Sequence, residues 1–228
     1  MNVSDIRKYF IEELKNKNFT KDKSGQETIE LIGASFIADE QSIFGVPNKQ
    51  YIDKEIKWYQ SGSTNVNDIY GKEFVKAPEA WVGAADKYGN INSNYGKLIF
   101  DSEYHNQYNH ALGELLNNPD SRRATMVYTR PSIWREFNKG GMSDFICTNA
   151  VTYYVRDGKL NAVVQMRSND VVFGYKNDWA WQMYVLKNMV IDWNKDNFAM
   201  LQGSIEVGTI TWQVQNLHVY SRHFDLVK

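Results

Sequence analysis

Cysteine is almost missing from this chain: its 228 residues contain one, Cys147. A single thiol cannot close an internal disulfide, so it is either a small buried hydrophobe or a reactive nucleophile. Histidine is scarce as well. The four, at positions 105, 110, 218 and 223, show no zinc-ligand spacing with Cys147, which argues against a metal site. An excess of either charge is also lacking, since 26 basic and 27 acidic residues are interleaved for a net charge of −1. Polymeric nucleic acid, which selects a basic surplus, is therefore not an expected partner. Long apolar runs are absent and Met1-Asn-Val-Ser-Asp5 has no apolar signal core, so no membrane is expected and the cytosol is the default compartment. No low-complexity linker interrupts the sequence, and a single domain over residues 1–228 is the economical reading.

What is present suits a folded protein, with 43% hydrophobic and 14% aromatic residues. Ser4 can cap a helix whose face carries Ile6, Phe10 and Leu14 and which runs to about Lys17. Residues 28 to 36 suit a strand. Ile52, Ile56 and Tyr59 share one face of a helix over 51–60, which sets Glu55 beside an apolar stripe. Residues 66 to 100 are weakly periodic and predict loops and short helices anchored by Trp81 and Tyr95. A helix capped by Asp101 or Ser102 carries Tyr104, Tyr108, Leu112 and Leu115, and ends before Pro119. Strands follow over 124–130 and 145–156, and Asp157-Gly158 signals a two-residue hairpin into the strand starting at Leu160. A long helix from Asn177 and an alternating strand over 203–220 complete an α+β pattern.

Several polar groups interrupt this pattern: Glu55, the pair Arg122-Arg123, Cys147, the run Met166-Arg-Ser-Asn-Asp170, the run Gly174-Tyr-Lys-Asn-Asp178, and His218-Val-Tyr-Ser-Arg-His223. Taken singly, each has an ordinary structural explanation. An unpaired cysteine is commonly buried filler, an arginine pair is commonly solvated, a helical glutamate is commonly a surface acid, and tryptophans such as Trp81 and Trp179 commonly pack a core. His218 and Tyr220 alternate at strand spacing and fit hydrogen-bonded structural residues equally well.

In order, however, these runs resemble the thymidylate synthase family, and within it the bacteriophage deoxycytidylate hydroxymethylase branch. Pro119-Asp-Ser-Arg-Arg123 resembles the twin-arginine motif, Cys147 falls where the nucleophile belongs, residues 166–174 resemble the R-S-x-D-x-x-x-G block, and residues 218–223 are similar to H-x-Y-S-x-H. The resemblance extends from Lys23-Ser-Gly25 to His223. It implies a thymidylate synthase-like fold, a mixed β-sheet flanked by helices, with sheets stacked across a homodimer interface.

The resemblance also implies roles. Cys147 attacks carbon 6 of a pyrimidine nucleotide, with nearby guanidinium groups favouring the ionised sulfur. Arg167 and Ser168 hold the 5′-phosphate, Asn169 sits in the same substrate-binding run, and Arg122 and Arg123 reach the phosphate of the neighbouring subunit. Lys23 stands where the synthases carry another phosphate-binding arginine. His218 and Tyr220 bind the sugar 3′-hydroxyl. Glu55 is the general acid/base carboxylate, while Trp81 and Asp170 contact the co-substrate 5,10-methylenetetrahydrofolate.

Three departures from the synthase pattern point to the reaction. Counting from Gly174, Asp178 occupies the place of the asparagine that reads uracil; a carboxyl suits cytosine, whose amine donates and whose bare ring nitrogen accepts. Thr148 follows the cysteine where histidine is usual, and Ala84 replaces a second tryptophan near the folate. The chain stops at Asp225-Leu-Val-Lys228, soon after the His-x-Tyr motif, where synthases continue into a tail that closes over the folate; a hydroxymethylase, which needs water, would tolerate a looser lid, and a catalytically silent relative would fit the short end as well. The expected activity is deoxycytidylate 5-hydroxymethylation by a homodimer in the cytoplasm of a phage host. A thymidylate synthase or dUMP hydroxymethylase, and a catalytically silent nucleotide-binding relative, are the alternatives.

Overall fold

The computed structural model describes residues 1–22, 25–71, 76–196 and 203–228; Lys23 lies outside the described residues. The first helix, α1 (Val3–Asn16), opens with a capping box. Asn2 Oδ1 accepts from the Asp5 N–H and the Asp5 carboxylate accepts from the Asn2 N–H, so the cap is Asn2 and the expected cap Ser4 lies inside the first turn. Val3, Ile6 and Phe10 form its buried face.

Six strands make one sheet: β1 (Thr20–Lys21), β2 (Glu27–Ile37), β3 (Thr125–Val127), β4 (Thr148–Arg156), β5 (Lys159–Asp170) and β6 (Glu206–Tyr220). Their order is β1-β2-β6-β5-β4-β3, and every neighbouring pair is antiparallel except β5 with β6. A parallel pair needs a long crossover, and α7 (Gly174–Lys195) lies in that connection, packed on both strands. The hairpin between β4 and β5 turns on Asp157 and Gly158, whose φ values of 52° and 68° suit a type I′ turn. The expected α+β class, a mixed sheet flanked by helices, is the observed one.

The in-and-out alternation of side chains slips by one residue at one level in three adjacent strands. In β6 the buried positions run Ile210, Trp212, Val214 and then Leu217, Val219; in β5 they run Leu160, Ala162, Val164, Met166 and then Asn169; in β2 Ile29 gives way to Ala34 and Phe36. The registers pass over the slip, Met166 pairing with Val214 and Ser168 with Asn216. Gly33, at φ 72°, supplies the left-handed residue in β2. The slip leaves Arg167 and Ser168, and likewise Gln215 and Asn216, as consecutive residues that both stay out of the core.

Beneath the sheet, α2 (Lys49–Ser61) is capped by Asn48 and ends at left-handed Gly62, and α3 (Glu79–Ala84) and α4 (Tyr95–Phe100) follow. A Cβ at Gly96 would lie 1.9 Å from the Tyr59 carbonyl oxygen, so the contact between α4 and α2 requires glycine there. Trp181, Leu186 and Met189 of α7 are buried over Trp212 and Val164 of the sheet.

Three expected elements change shape. The helix from Asp101 is broken: Asp101 caps only a short 3₁₀ turn, His105 and Asn106 take left-handed φ values of 65° and 43°, and α5 spans Gln107–Asn117. The strand expected over 124–130 shortens to β3, because the Gln107 side chain accepts from the Val127 N–H at 2.7 Å and donates to its carbonyl at 2.8 Å, filling the ladder's outer edge. The long helix starts at Gly174 rather than Asn177, because Asp170 Oδ1 accepts from the N–H groups of Val172 and Phe173 at 2.9 and 2.6 Å. A short helix α6 (Ile133–Glu136) precedes the loop that carries Cys147. No helix among the described residues is long and apolar enough to cross a membrane.

Candidate active site

Cys147 ends the loop before β4, and its carbonyl accepts from the Arg167 N–H at 2.7 Å, which ties the loop to β5 at the level of the slip. Its Sγ lies 3.6 Å from Arg167 Nη2 and 3.8 Å from the Phe145 carbonyl oxygen. The same Nη2 donates to that carbonyl at 3.0 Å, and the guanidinium stands over the Phe145 ring at 5.1 Å. Burial pushes the thiol up to about 11; Arg167 pulls it down, while the nearby Asp178 and Asp144 push it further up. In this arrangement the sulfur rests as a thiol.

Two more acids are held away from water. Glu55, buried on α2, receives the Tyr51 hydroxyl, one helical turn earlier, and the Trp81 indole N–H at 3.0 Å. Both donors meet Oε1, so a proton on this carboxyl belongs on Oε2. Burial raises the Glu55 pKa and the two donors oppose it. Asp178, in the second turn of α7, is pushed up to about 8 by burial and by the charge of Glu55, against the hydrogen bond from Asn169. Asn169 Nδ2 donates to Asp178 Oδ2 at 2.7 Å, and Asn169 Oδ1 accepts from Trp212 Nε1 at 3.2 Å.

The raised Asp178 pKa has a consequence for stability. An acid whose folded pKa exceeds its ordinary 3.8 contributes most below that value, and the contribution drains away as pH climbs toward about 8. Asp178→Asn keeps the acceptor for Asn169 and loses the titration. The variant is expected to exceed the parent in stability by a margin that grows from pH 4 to pH 8 and then levels, reaching on the order of 2–4 kcal/mol. Thermal melts of both proteins across that range measure it.

A cavity of about 330 Å³ opens between β2, β6 and β5, lined by Arg167, Ser168, His218 and Tyr220 together with Asp22, Thr28, Glu30, Gln215 and Asn216. Its size suits a small molecule. His218 and Tyr220 lie edge to face with ring centroids 5.0 Å apart. Arg167 Nε and Asp170 Oδ2 are buried and have no hydrogen-bond partner among the described residues. Asp170 thus spends one oxygen on the start of α7 and keeps the other. Trp81 is part-buried on α3 with its N–H committed to Glu55 and Tyr51.

The fold therefore brings Cys147, Asp178 and Glu55 into electrostatic contact and gathers Arg167, Ser168, His218 and Tyr220 around one cavity. Arg122 and Arg123 are not gathered. Both are exposed before β3, at the far edge of the sheet, and Arg123 pairs with Glu114 at 3.0 Å. Sequence reasoning missed Tyr51, Glu30, Asn216 and Trp212. Tyr51 stands four residues before Glu55 on the same helix face, and Asn216 alternates with His218 and Tyr220, so both could have been found from spacing. Nothing in the sequence pointed to Glu30 or to Trp212 as polar partners. A second cavity of about 420 Å³, between α5 and β3, is lined by none of the candidate site residues. Among the described residues, no three His, Cys, Asp or Glu side chains converge as a metal ion requires.

Residues 10–228 match the thymidylate synthase family. The chain is 52% identical over 227 residues to the proteins named deoxycytidylate 5-hydroxymethyltransferase of Enterobacteria phages T4 and T2, covering 100% of this chain and 89% of each of theirs. It is 30% identical over 182 residues to thymidylate synthase of Bacillus subtilis subsp. natto, covering 77% of this chain and 58% of that one. On the match over residues 10–228 and the identity to these relatives, the chain belongs to the thymidylate synthase family.

Proposed function

We propose that this protein converts dCMP, 5,10-methylenetetrahydrofolate and water into 5-hydroxymethyl-dCMP and tetrahydrofolate. The observation that carries this reading is Asp178, a carboxyl held largely neutral beside the only cysteine, where the synthase pattern has an amide. A neutral carboxyl offers one donor and one acceptor, which match the bare nitrogen 3 and the amine of cytosine. The names of the phage relatives agree with it.

In this reading Arg167 and Ser168 hold the 5′-phosphate, Lys23 contributes charge toward the same phosphate, and His218 and Tyr220 take the 3′-hydroxyl. Arg167 Nε, which has no hydrogen-bond partner among the described residues, is available for that purpose. Cys147 gives up its thiol proton to water as Sγ bonds to carbon 6, and the proton held by Asp178 moves to nitrogen 3 as the ring takes up the sulfur, leaving carbon 5 nucleophilic. Once carbon 5 has taken the one-carbon unit its own hydrogen leaves as a proton to water, and the carbon 6–sulfur bond breaks to release the product and restore the cysteine. Asp170, whose buried Oδ2 has no partner among the described residues, and Trp81 fit the co-substrate, which would supply the one-carbon unit to carbon 5. Glu55, through Oε2, positions and deprotonates the water that completes the hydroxymethyl group. Arg122 and Arg123, exposed and remote from their own cavity, serve the phosphate of a second copy, which makes the active unit a homodimer working in the host cytoplasm.

Tritium release from 5-³H-dCMP, with and without the folate, tests the reading, with 5-³H-dUMP in parallel. Folate-dependent release from dCMP and a product carrying added CH₂O are expected. Release from dUMP alone, with added CH₂, would make the protein a thymidylate synthase, and binding of 5-fluoro-dCMP with no adduct at Cys147 would make it a silent relative.

A further inference from the structure

Asp178 poses a question that its own chemistry does not answer. A carboxyl with one proton can face cytosine correctly, with its bare oxygen toward the amine and its O–H toward nitrogen 3. With the proton on the other oxygen it faces uracil equally well, offering O–H to the carbonyl at position 4 and accepting from the N–H at position 3. Something else must decide which oxygen carries the proton.

We propose that Trp212 and Asn169 form a relay that fixes the proton on Oδ1 of Asp178 and thereby makes the site read cytosine instead of uracil. The inference rests on the reading above, in which Asp178 faces positions 3 and 4 of the base, taken with Oδ1 toward position 3 and Oδ2 toward position 4. Trp212 is fully buried on β6 and Asn169 nearly so on β5. An indole nitrogen can only donate, so the Asn169 atom that meets Trp212 Nε1 at 3.2 Å must be the oxygen. The amide is then oriented, and its Nδ2 donates to Asp178 Oδ2 at 2.7 Å. The bare carbonyl-type oxygen of a carboxyl is a much stronger acceptor than its hydroxyl oxygen, so a donor held at 2.7 Å favours the tautomer in which that oxygen carries no proton. Oδ2 is left as an acceptor, and the proton belongs on Oδ1.

The packing reserves room for this arrangement. A Cβ at Gly174 would stand 3.1 Å from Asn169 Nδ2 and 3.9 Å from Asp178 Oδ2, so the glycine at the start of α7 keeps the bond unobstructed. Burial pushes Asp178 up to about 8, which supplies a proton to place at neutral pH. The titratable groups that act on Asp178 or feel it are Glu55 and Tyr59 from α2, Tyr95 from α4, and Cys147 before β4; each is neutral or anionic, so none replaces the ordering imposed by Asn169. Opposite this fixed pattern, uracil meets two acceptors at position 4 and two donors at position 3, and buried mismatches of that kind give strong rejection.

Asn169 and Trp212 act through Asp178 and are positioning residues. Trp212→Phe keeps the aromatic packing and removes the donor, and Asn169→Leu, a second route in case the first variant folds poorly, removes the amide at similar volume. Each is expected to lower the ratio of kcat/KM for dCMP to kcat/KM for dUMP by about tenfold or more, read by tritium release, as the proton becomes free to occupy either oxygen. In Asn169→Leu the loss of activity on dCMP at alkaline pH also moves to higher pH, because the donor that favoured the charged carboxyl is gone.

The Asp178→Asn background gives the opposite sign. There the relay holds the new amide in the cytosine-facing orientation, so removing Asn169's donor frees it to turn and raises turnover of dUMP. An equal loss for both nucleotides in folded single variants, or a fall in dUMP turnover in the double variant Asp178→Asn/Asn169→Leu, would overturn the relay. Failure of the base reading itself is distinct, since it shows as unchanged dCMP turnover in Asp178→Asn alone.

Discussion

Turnover of dCMP in Asp178→Asn is expected to fall by about 10³- to 10⁴-fold, with measurable turnover of dUMP taking its place. The loss has a simple origin. When Cys147 adds to carbon 6, electron density moves onto nitrogen 3 and a proton must arrive there; a carboxyl pushed up to about 8 can deliver it and a primary amide cannot. The gain needs the amide to turn its NH₂ toward the carbonyl at position 4 of uracil. That orientation sets it against Asn169 Nδ2, which now lies 2.7 Å from the oxygen it would displace, so the gain on dUMP is smaller than the loss on dCMP. Parallel tritium-release assays on the two nucleotides give both numbers, and an unchanged preference for dCMP removes the reason for choosing cytosine.

Cys147→Ser is expected to bind dCMP nearly as well as the parent and to turn it over about 10⁴-fold or more slowly, with no covalent adduct to 5-fluoro-dCMP in the presence of the folate. The surroundings of Cys147 make the substitution severe. Burial and two nearby carboxyls already push the thiol up to about 11, against the opposing pull of Arg167 at 3.6 Å. A hydroxyl, intrinsically a far weaker acid than a thiol, would meet the same penalty from a higher starting point, and oxygen is the poorer nucleophile toward a soft ring carbon. Binding is expected to survive because Arg167, Ser168, His218 and Tyr220, proposed to hold the phosphate and the sugar, line a cavity that does not include the sulfur. Single-turnover measurements alongside nucleotide titration separate the two effects, and a serine variant as fast as the parent would refute covalent catalysis.

Much of the local structure was legible because its causes are local. The Asp157-Gly158 turn, the extents of α1, α2 and β2, and the stop before Pro119 follow from φ preferences, caps and periodicity within a few residues. The break at His105 and Asn106 was not legible. It follows from the docking of Gln107 on Val127, twenty residues away in the chain, and from the capping of a separate turn by Asp101. The early start of α7 was hidden in the same way, since Asp170 was marked for a ligand and not as the cap that it also is.

By itself the sequence determined the chemical inventory: one thiol able to attack, acids at 55 and 178, guanidinium groups for an anion, and the order of motifs that marks the family. Identity along a chain is enough for that, because functional groups and their spacing are written directly in residues. Only the tertiary structure decided which oxygen of Asp178 receives a donor, that Tyr51 and Trp81 share Oε1 of Glu55, and that a slip at one level of three strands turns consecutive residues of β5 and β6 away from the core. Those outcomes depend on desolvation and on hydrogen bonds between residues as far apart as Trp212 and Asn169. Neither exists until distant segments pack together, and the strength of each is set by the water that packing removes.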